Sequence, residues 1–297
     1  MGVFNKKTSL VHHIAYMGIM TAVNLVFILL ATFAPFLMFI PIVFLPFVSA
    51  IVSYYCKKRY YIIYAIASIG LCLIFNVSDT IFYVVPAVIT GFMIGLLLNK
   101  RIHPFWLVLV SSIIEAALTF AFIPLINVIG DTDIVYTFIS AFKLNDFAYK
   151  TELTYLAIYF LALLQCGLSH FVLLNEAKKV GIEINTGVDS FAPYIIGLEV
   201  VIILSLVFSF FYRPLAFAFL EISFYFAIFV LVDIVTSKRV IVYVISGILF
   251  MMAFFGFALL YKHIGAPDGL LIMLLFPISV GITSFLNNCL KIKGTNI

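Results

Sequence analysis

The sequence has few charged residues for its length. Only 10% of its 297 residues are Asp, Glu, Lys or Arg, whereas soluble domains carry about 25%. Hydrophobic residues make up 65% of the chain, and the mean hydropathy is +1.24. Because no soluble core buries this much apolar surface, the composition excludes a soluble globular protein and predicts one embedded in a lipid bilayer.

Motifs of catalysis and nucleotide binding are also missing. The sequence contains no Walker A, GxSxG, HExxH or GxGxxG pattern, and no hydrophilic stretch is long enough to form a nucleotide-binding domain. We therefore expect no enzymatic activity and no cofactor. Active transport by such a chain would use an ion gradient or a separate ATPase.

Cysteine is scarce, and its spacing carries no metal signature. The four cysteines are Cys56, Cys72, Cys166 and Cys289. They form no CxxC pair and fall in or at the ends of apolar stretches. This excludes a disulfide framework and a zinc site of known spacing, so we expect no bound metal.

Apolar windows of about 20 residues predict an all-α protein, a polytopic transmembrane helical bundle of about ten spans. The predicted spans are 10–33, 35–55, 60–77, 79–98, 105–128, 152–174, 191–211, 215–236, 240–261 and 269–290.

The basic residues support this count and orient the chain. With the N-terminus in the cytoplasm, thirteen of the 17 Lys and Arg residues fall in inside segments, as the positive-inside rule requires. We therefore expect both termini to be cytoplasmic. The net charge of +4 is spread over separate segments, so it predicts no nucleic-acid partner.

Two polar connections divide the chain. The loop at 129–151 contains "TDIVYTFISAF", whose apolar residues have helical spacing and predict an interfacial helix. The stretch 176–190 contains the turn signals Gly181, Asn185 and Gly187. We predict a six-span domain over 1–175, a cytoplasmic connector over 176–190 and a four-span region over 191–297.

The acidic residues Glu115, Glu199 and Glu221 lie well inside predicted spans, and Asp233 lies near the cytoplasmic end of the eighth span. A carboxylate at the centre of a membrane helix costs about 2.5–3.5 kcal/mol and usually faces a cavity or a partner. No Lys or Arg lies deep enough in a span to pair with them. The first three residues are candidates for a substrate or proton site, and the alternative is that protonated carboxyl groups join helices.

Single polar residues in other spans are weaker candidates. Asn24 and Gln165 are added to the substrate or proton site, although such residues more often join helices by hydrogen bonds. His170 lies toward the inner end of the sixth span, within reach of the interface.

Small residues predict close helix contacts. Ala15, Gly18 and Ala22 lie along the first span, and Gly91 and Gly95 form a GxxxG pair in the fourth. Such patterns serve either internal packing or docking of a partner helix.

The stretch "APFLMFIPIVFLPFVSA" places Pro35, Pro41 and Pro46 in one predicted span. Pro35 suits a first helical turn, whereas a later proline removes a hydrogen bond and kinks the helix. One interpretation is a broken segment over 35–46 that lines a cavity, with regular helix resuming at Pro46. The other is an ordinary kinked span.

The order of these features carries a family resemblance. "HHIAYMGIMTAV", "FLPFVSAIVSYYCKKR" and "PAVITGFMIGLLLNKR" follow one another as a small-residue first helix, a proline-rich second span and a glycine-rich fourth span. Over roughly residues 10–175 this resembles the membrane S-components of energy-coupling-factor (ECF) transporters. With "EAKKVGIEINT" after the sixth span, the chain is similar to the YybS-like family of uncharacterised membrane proteins.

The resemblance implies a function. In S-components the six-helix domain binds a vitamin or a metal from outside, and small residues of the first helix contact a coupling subunit that carries two ATPases. That role would fall on Ala15, Gly18 and Ala22, in a bacterial cytoplasmic (plasma) membrane. Four additional spans, with Glu199 and Glu221, have no counterpart in six-span S-components.

Three interpretations follow from the sequence. The first is a small-solute transport subunit energised by a separate ATPase complex. The second is a self-contained ten-span secondary transporter that couples through its intramembrane carboxylates, although the chain shows no internal repeat. The third is a membrane scaffold or regulator that transports nothing.

Overall fold

A computed structural model describes residues 9–34, 39–131, 133–141, 144–145, 148–180, 192–236, 240–264 and 268–294. Within these ranges all regular structure is helical. A π-helical turn, Thr80–Val84, joins the fourth helix to the fifth, and a 3₁₀ segment, Asp268–Leu274, precedes the last helix. The helices are α1 (Leu10–Phe33), α2 (Phe39–Tyr55), α3 (Lys58–Leu73), α4 (Val77–Asp79), α5 (Val85–Asn99), α6 (Pro104–Gly130), α7 (Ile134–Ala141), α8 (Lys150–Val180), α9 (Ala192–Phe211), α10 (Arg213–Thr236), α11 (Val240–Ile264) and α12 (Leu275–Gly294).

The described residues contain eight helices that are long and apolar enough to cross a membrane. The chain is therefore a multi-pass membrane protein with a helical fold. The other two predicted spans are shorter helices: α2 has 17 residues and α3 has 16. Since a spanning helix needs about 17–25 residues, the count of ten stays a prediction.

The chain divides into two compact units, which differ from the predicted domains. The first comprises residues 1–134 and 161–187, and the second comprises 135–160 and 188–297. The loop helix α7 and the start of α8 therefore group with the C-terminal helices. Most of the predicted connector, from residue 181 to 190, lies outside the described residues.

In the first unit, α2 and α5 pack with almost no space between their backbones. A Cβ atom on Gly91 would overlap that of Ser49 and lie 2.7 Å from the Pro46 carbonyl oxygen. A Cβ on Gly95 would overlap Ser53 in the same way. The GxxxG pair thus serves internal packing, because only glycine lets the two backbones approach this closely.

Hydrogen bonds between buried side chains join α1, α2 and α3. The Asn24 Nδ2 atom donates to the Tyr64 hydroxyl at 2.7 Å, and that hydroxyl lies 3.0 Å from Ser49 Oγ. One turn away on α1 and α3, the hydroxyls of Thr21 and Ser68 are 3.2 Å apart. These bonds satisfy polar groups that lipid would leave without partners.

The expectation of a broken segment over 35–46 is wrong where the structure describes it. Helix α2 is continuous from Phe39 to Tyr55 and contains Pro46. Pro41 falls in its first turn, where backbone N–H groups have no helical partner in any case. Pro46 cannot donate to the carbonyl one turn earlier, and Ser169 Oγ donates to the neighbouring Val43 carbonyl at 2.6 Å. Pro35 lies outside the described residues.

The second unit is built on two apolar clusters. The predicted loop helix is present as α7, and its Ile139 is buried in one cluster. The other cluster joins α9, α10, α11 and α12 around Leu198 and Val230. The Ser205 hydroxyl also donates to the Ala216 carbonyl at 2.8 Å, linking α9 to α10.

Candidate functional site

The three intramembrane acids occupy different environments. Glu115, in the first unit, has 3% of its surface exposed. Glu221, in the second unit, has 6% exposed, whereas Glu199 lies on an exposed face of α9. Burial therefore separates Glu115 and Glu221 from Glu199, and it favours the first two as functional candidates.

Glu115 lies on α6, which packs against α5. The Thr90 side chain of α5 faces its carboxyl group, and Cys166 of α8 lies within electrostatic reach. Yet Glu115 Oε2 and Thr90 Oγ1 are both buried without a hydrogen-bond partner. Helices α5 and α6 contain no Lys or Arg. Glu115 is thus a buried carboxyl group whose bonding capacity is incompletely used.

Two further buried polar residues lie one helical turn from Glu115 on α6 and from Cys166 on α8. Ser111 precedes Glu115 by four residues on α6, and its buried Oγ has no hydrogen-bond partner. His170 follows Cys166 by four residues on α8; it is 1% exposed, and neither ring nitrogen has a partner. The His170 side chain is therefore buried within the protein. We call Thr90, Ser111, Glu115, Cys166 and His170 the Glu115 cluster.

Asn24 and Gln165, the other two predicted site residues, occupy different environments. Asn24 is fully buried, and its Nδ2 bonds Tyr64, so it joins helices, although its Oδ1 has no partner. Gln165 is half-buried in α8.

The small residues of α1 differ from those of α5. Ala15, Gly18 and Ala22 all lie on an exposed face of α1. Nothing lies within 4 Å of the position that a Gly18 Cβ would take. In contrast to Gly91 and Gly95, these residues leave a shallow surface on which another helix can approach.

Asp79, the first residue of the fourth predicted span, is not among the predicted site residues. Its carboxylate accepts hydrogen bonds from Asn76 Nδ2 at 2.7 Å and from Thr32 Oγ1 at 3.4 Å. The backbone N–H of Asp79 in turn donates to Asn76 Oδ1 at 3.0 Å. This network caps α4 at the start of the π-helical turn, and its bonds explain Asp79 as a structural residue.

Glu221 lies among aromatic and aliphatic side chains of α10. Phe217 and Leu220 next to it belong to the buried cluster of the second unit, and Phe224 packs edge-on against Phe160 with ring centroids 4.8 Å apart. Among the described residues its carboxyl group has no hydrogen-bond or ion-pair partner.

Metal binding has no support in the part of the chain that the structure describes. No group of three or more His, Cys, Asp or Glu side chains is placed to hold a metal ion there. Cys56, Cys72 and Cys166 are buried, and none of the three forms a disulfide.

The side chains of the Glu115 cluster limit which ligands can bind there. It offers a carboxyl group, two hydroxyls and an imidazole, and α5 and α6 offer no cationic side chain to bind an anion. Such a set accepts a proton, a small cation or a neutral molecule that both donates and accepts hydrogen bonds. Comparison of the chain with protein-family models, with curated proteins and with solved structures gives no match.

Proposed function

We propose that this membrane protein transports a small solute and that the Glu115 cluster is where the solute, or the ion that drives it, is bound. The observation that carries the proposal is the burial of the Glu115 carboxyl group. Its carboxyl group is buried in the middle of α6, and one of its oxygens has no hydrogen-bond partner.

The energetic argument is that a purely structural role does not explain this arrangement. Burial of a carboxyl group in a membrane helix costs about 2.5–3.5 kcal/mol. Interhelical hydrogen bonds recover part of that cost, and Asn24 makes such a bond while Glu115 Oε2 and Thr90 Oγ1 do not. A partner that binds transiently accounts for the unused bonding groups.

The chemistry of the cluster limits the solute. A carboxylate repels anions in a low-dielectric environment, and α5 and α6 supply no Lys or Arg to reverse its charge. The solute class that fits is therefore small, and either cationic or neutral and polar. Proton or cation coupling fits the same groups.

The test is a binding screen on the purified protein in detergent, read as thermal stabilisation. A ligand at 100 times its Kd stabilises the folded state by about 2.7 kcal/mol. Small amines and neutral polar metabolites are compared on the wild type, on Glu115→Gln and on Glu199→Gln, which changes an exposed carboxylate. We expect a ligand that stabilises the wild type and Glu199→Gln and does not stabilise Glu115→Gln.

A second candidate function specifies how transport is powered. The exposed surface of Ala15, Gly18 and Ala22 favours docking of a transmembrane helix, which supports a transport subunit driven by an ECF-type coupling subunit with ATPases. Gly18→Leu fills this surface, whereas Gly70→Leu fills an equally open position on α3. We expect an ATPase complex to co-purify with the wild type and Gly70→Leu, and to be lost with Gly18→Leu.

The two remaining interpretations predict other outcomes of these experiments. A self-contained secondary transporter binds its solute through Glu115 but purifies without an ATPase. A scaffold or regulator shows no ligand that depends on Glu115, and it tolerates Glu115→Gln without loss of function.

A further inference from the structure

We propose that five basic residues of the first unit form a binding surface for the headgroup of an anionic phospholipid. They are Lys57, Lys58, Arg59, Lys100 and Arg101, and all five are exposed. We call them the basic surface. It lies apart from the Glu115 cluster, at the ends of helices, so its role does not depend on the function proposed above.

The packing of α2 against α5 shows that these two helices run in the same direction. A Cβ atom on Gly91 would overlap that of Ser49, and one on Gly95 would overlap that of Ser53, one turn later in both helices. The Ser53 hydroxyl also donates to the Phe92 carbonyl at 3.0 Å. Because the helices are parallel, their last residues lie at the same end of the first unit.

This register brings the two basic stretches together. Continued by one turn, it places Lys57 level with Asn99, the last residue of α5. Helix α3 gives an independent measure, since the Tyr61 hydroxyl donates to the Val88 carbonyl at 2.6 Å and the rings of Tyr61 and Phe92 have centroids 4.7 Å apart. The start of α3 therefore lies beside the last turns of α5. With packed helix axes about 8–10 Å apart, the basic residues form one surface.

The positive charge of this surface is not balanced by the helices that carry it. Within residues 9–34 and 39–131, the acids are Asp79, beyond the far end of α3, Glu115, in the middle of α6, and Asp131, just after α6. The first turns of α3 and α6 contain no acidic residue. Glu176, near the end of α8, can offset at most one of the five charges. An external anion is therefore attracted to this end of the unit.

Arg101 has a backbone conformation that suits glycine. Its φ is 53°, which is the left-handed region that costs free energy for a residue with a side chain. The Ile102 N–H donates to the Leu97 carbonyl, and the Arg101 N–H donates to the Leu98 carbonyl. This helix-ending motif usually has glycine at the position of Arg101. The positive-inside rule explains the side on which a charge lies, but it does not explain an arginine at a strained position, whereas a bound anion does.

The side chains around the basic surface favour a lipid as the source of that anion. Trp106 is 56% exposed in the first turn of α6, and Ile62, Ile63 and Ile66 are exposed on α3. Tryptophan is enriched at the boundary between membrane and water, and clusters of basic residues at the ends of membrane helices bind anionic headgroups. A phospholipid can place its phosphate on the basic surface and its acyl chains along these apolar side chains.

The experiment uses Trp106 as its reporter, because it is the only tryptophan in the sequence. The full chain is reconstituted in vesicles of phosphatidylcholine and phosphatidylglycerol, with bromine on the acyl chains of one lipid or of the other. Bromine quenches tryptophan fluorescence at short range, so the two quenching curves give the preference for the anionic lipid beside Trp106. We expect the wild type to prefer phosphatidylglycerol at least about fivefold.

Two variants and a control assign this preference to the basic surface. We expect Arg101→Gly and Lys58→Gln each to lower the preference about three- to fivefold. Lys150→Gln removes one positive charge from the second unit and should leave the preference unchanged. Arg101→Gly should also keep or raise the midpoint of chemical denaturation, because glycine suits a φ of 53°. That second measurement separates loss of lipid binding from loss of folding.

Equal quenching by the two brominated lipids in the wild type would overturn the proposal. So would an unchanged preference in both Arg101→Gly and Lys58→Gln, or an equal loss in Lys150→Gln. Inorganic phosphate and chloride are then compared at the same ionic strength, and we expect them to weaken the preference equally, because both only screen the charges. Stronger displacement by phosphate would show that the surface binds a free anion and would overturn the assignment to a lipid.

Discussion

At the scale of the residue, the first unit separates two kinds of buried polar side chain. Tyr64 is fully buried and its hydroxyl contacts both Asn24 and Ser49. Thr90 and Ser111 are equally buried, and their hydroxyls have no hydrogen-bond partner. The first kind stabilises the bundle, whereas the second kind costs stability.

Tyr64→Phe is expected to lower the free energy of unfolding by about 1 kcal/mol, because Asn24 and Ser49 both lose a partner. The measurement is chemical denaturation in mixed micelles. Tyr212→Phe is the control, since that tyrosine is half-exposed. A Tyr64→Phe protein as stable as the control would show that the network contributes nothing.

Thr90→Val, unlike Tyr64→Phe, is expected not to lower the free energy of unfolding. Removal of a buried hydroxyl without a partner should leave the free energy of unfolding unchanged or raise it by about 1 kcal/mol, while binding of the solute weakens. Denaturation and the binding screen on one preparation check this. Loss of stability together with retained binding would make Thr90 a structural residue.

At the scale of the element, helix packing depends on where the glycines lie. Gly91→Ala is expected to destabilise the protein by about 1–3 kcal/mol, because the added methyl group overlaps Ser49 and the backbone of α2 is too close to move aside. Gly18→Ala is the matched control, with nothing within 4 Å of the new methyl group. The measurement is chemical denaturation of the two variants under the same conditions. Equal stabilities would contradict the close packing of α2 and α5.

The helices could be predicted from the sequence far better than the site. Eight predicted spans appear as long apolar helices, since hydropathy alone determines them. Burial within these helices could not be predicted, because a helix that is apolar on all sides gives no periodicity. This is why Glu199 and Glu115 looked equivalent in the sequence, although only Glu115 is buried.

The hydroxyl groups of the Glu115 cluster were missed for a related reason. Serine and threonine in membrane helices usually bond the carbonyl of the preceding turn, as Ser112 and Thr119 do here. Nothing in the sequence distinguishes Ser111 and Thr90 from these two residues. Only the packing of the helices reveals that their hydroxyls are left without partners.

At the scale of the whole molecule, the number of spans depends on the two short helices. The ten-span topology places Lys57, between α2 and α3, and Ser140, on α7, on opposite sides of the membrane. Both residues are exposed. In a protein without its native cysteines, Lys57→Cys and Ser140→Cys should react with an impermeant thiol reagent from opposite sides. Labelling from one side only would mean that α3 does not cross.

The central claim is that the Glu115 cluster engages a small solute, and one measurement addresses it most directly. The wild type, Glu115→Gln and Glu199→Gln are purified gently from their native membrane, and the small molecules that remain bound are identified by mass spectrometry. We expect a cationic or neutral polar compound in the wild type and in Glu199→Gln that is absent from Glu115→Gln. The same compounds in all three proteins, or none in any, would contradict the claim.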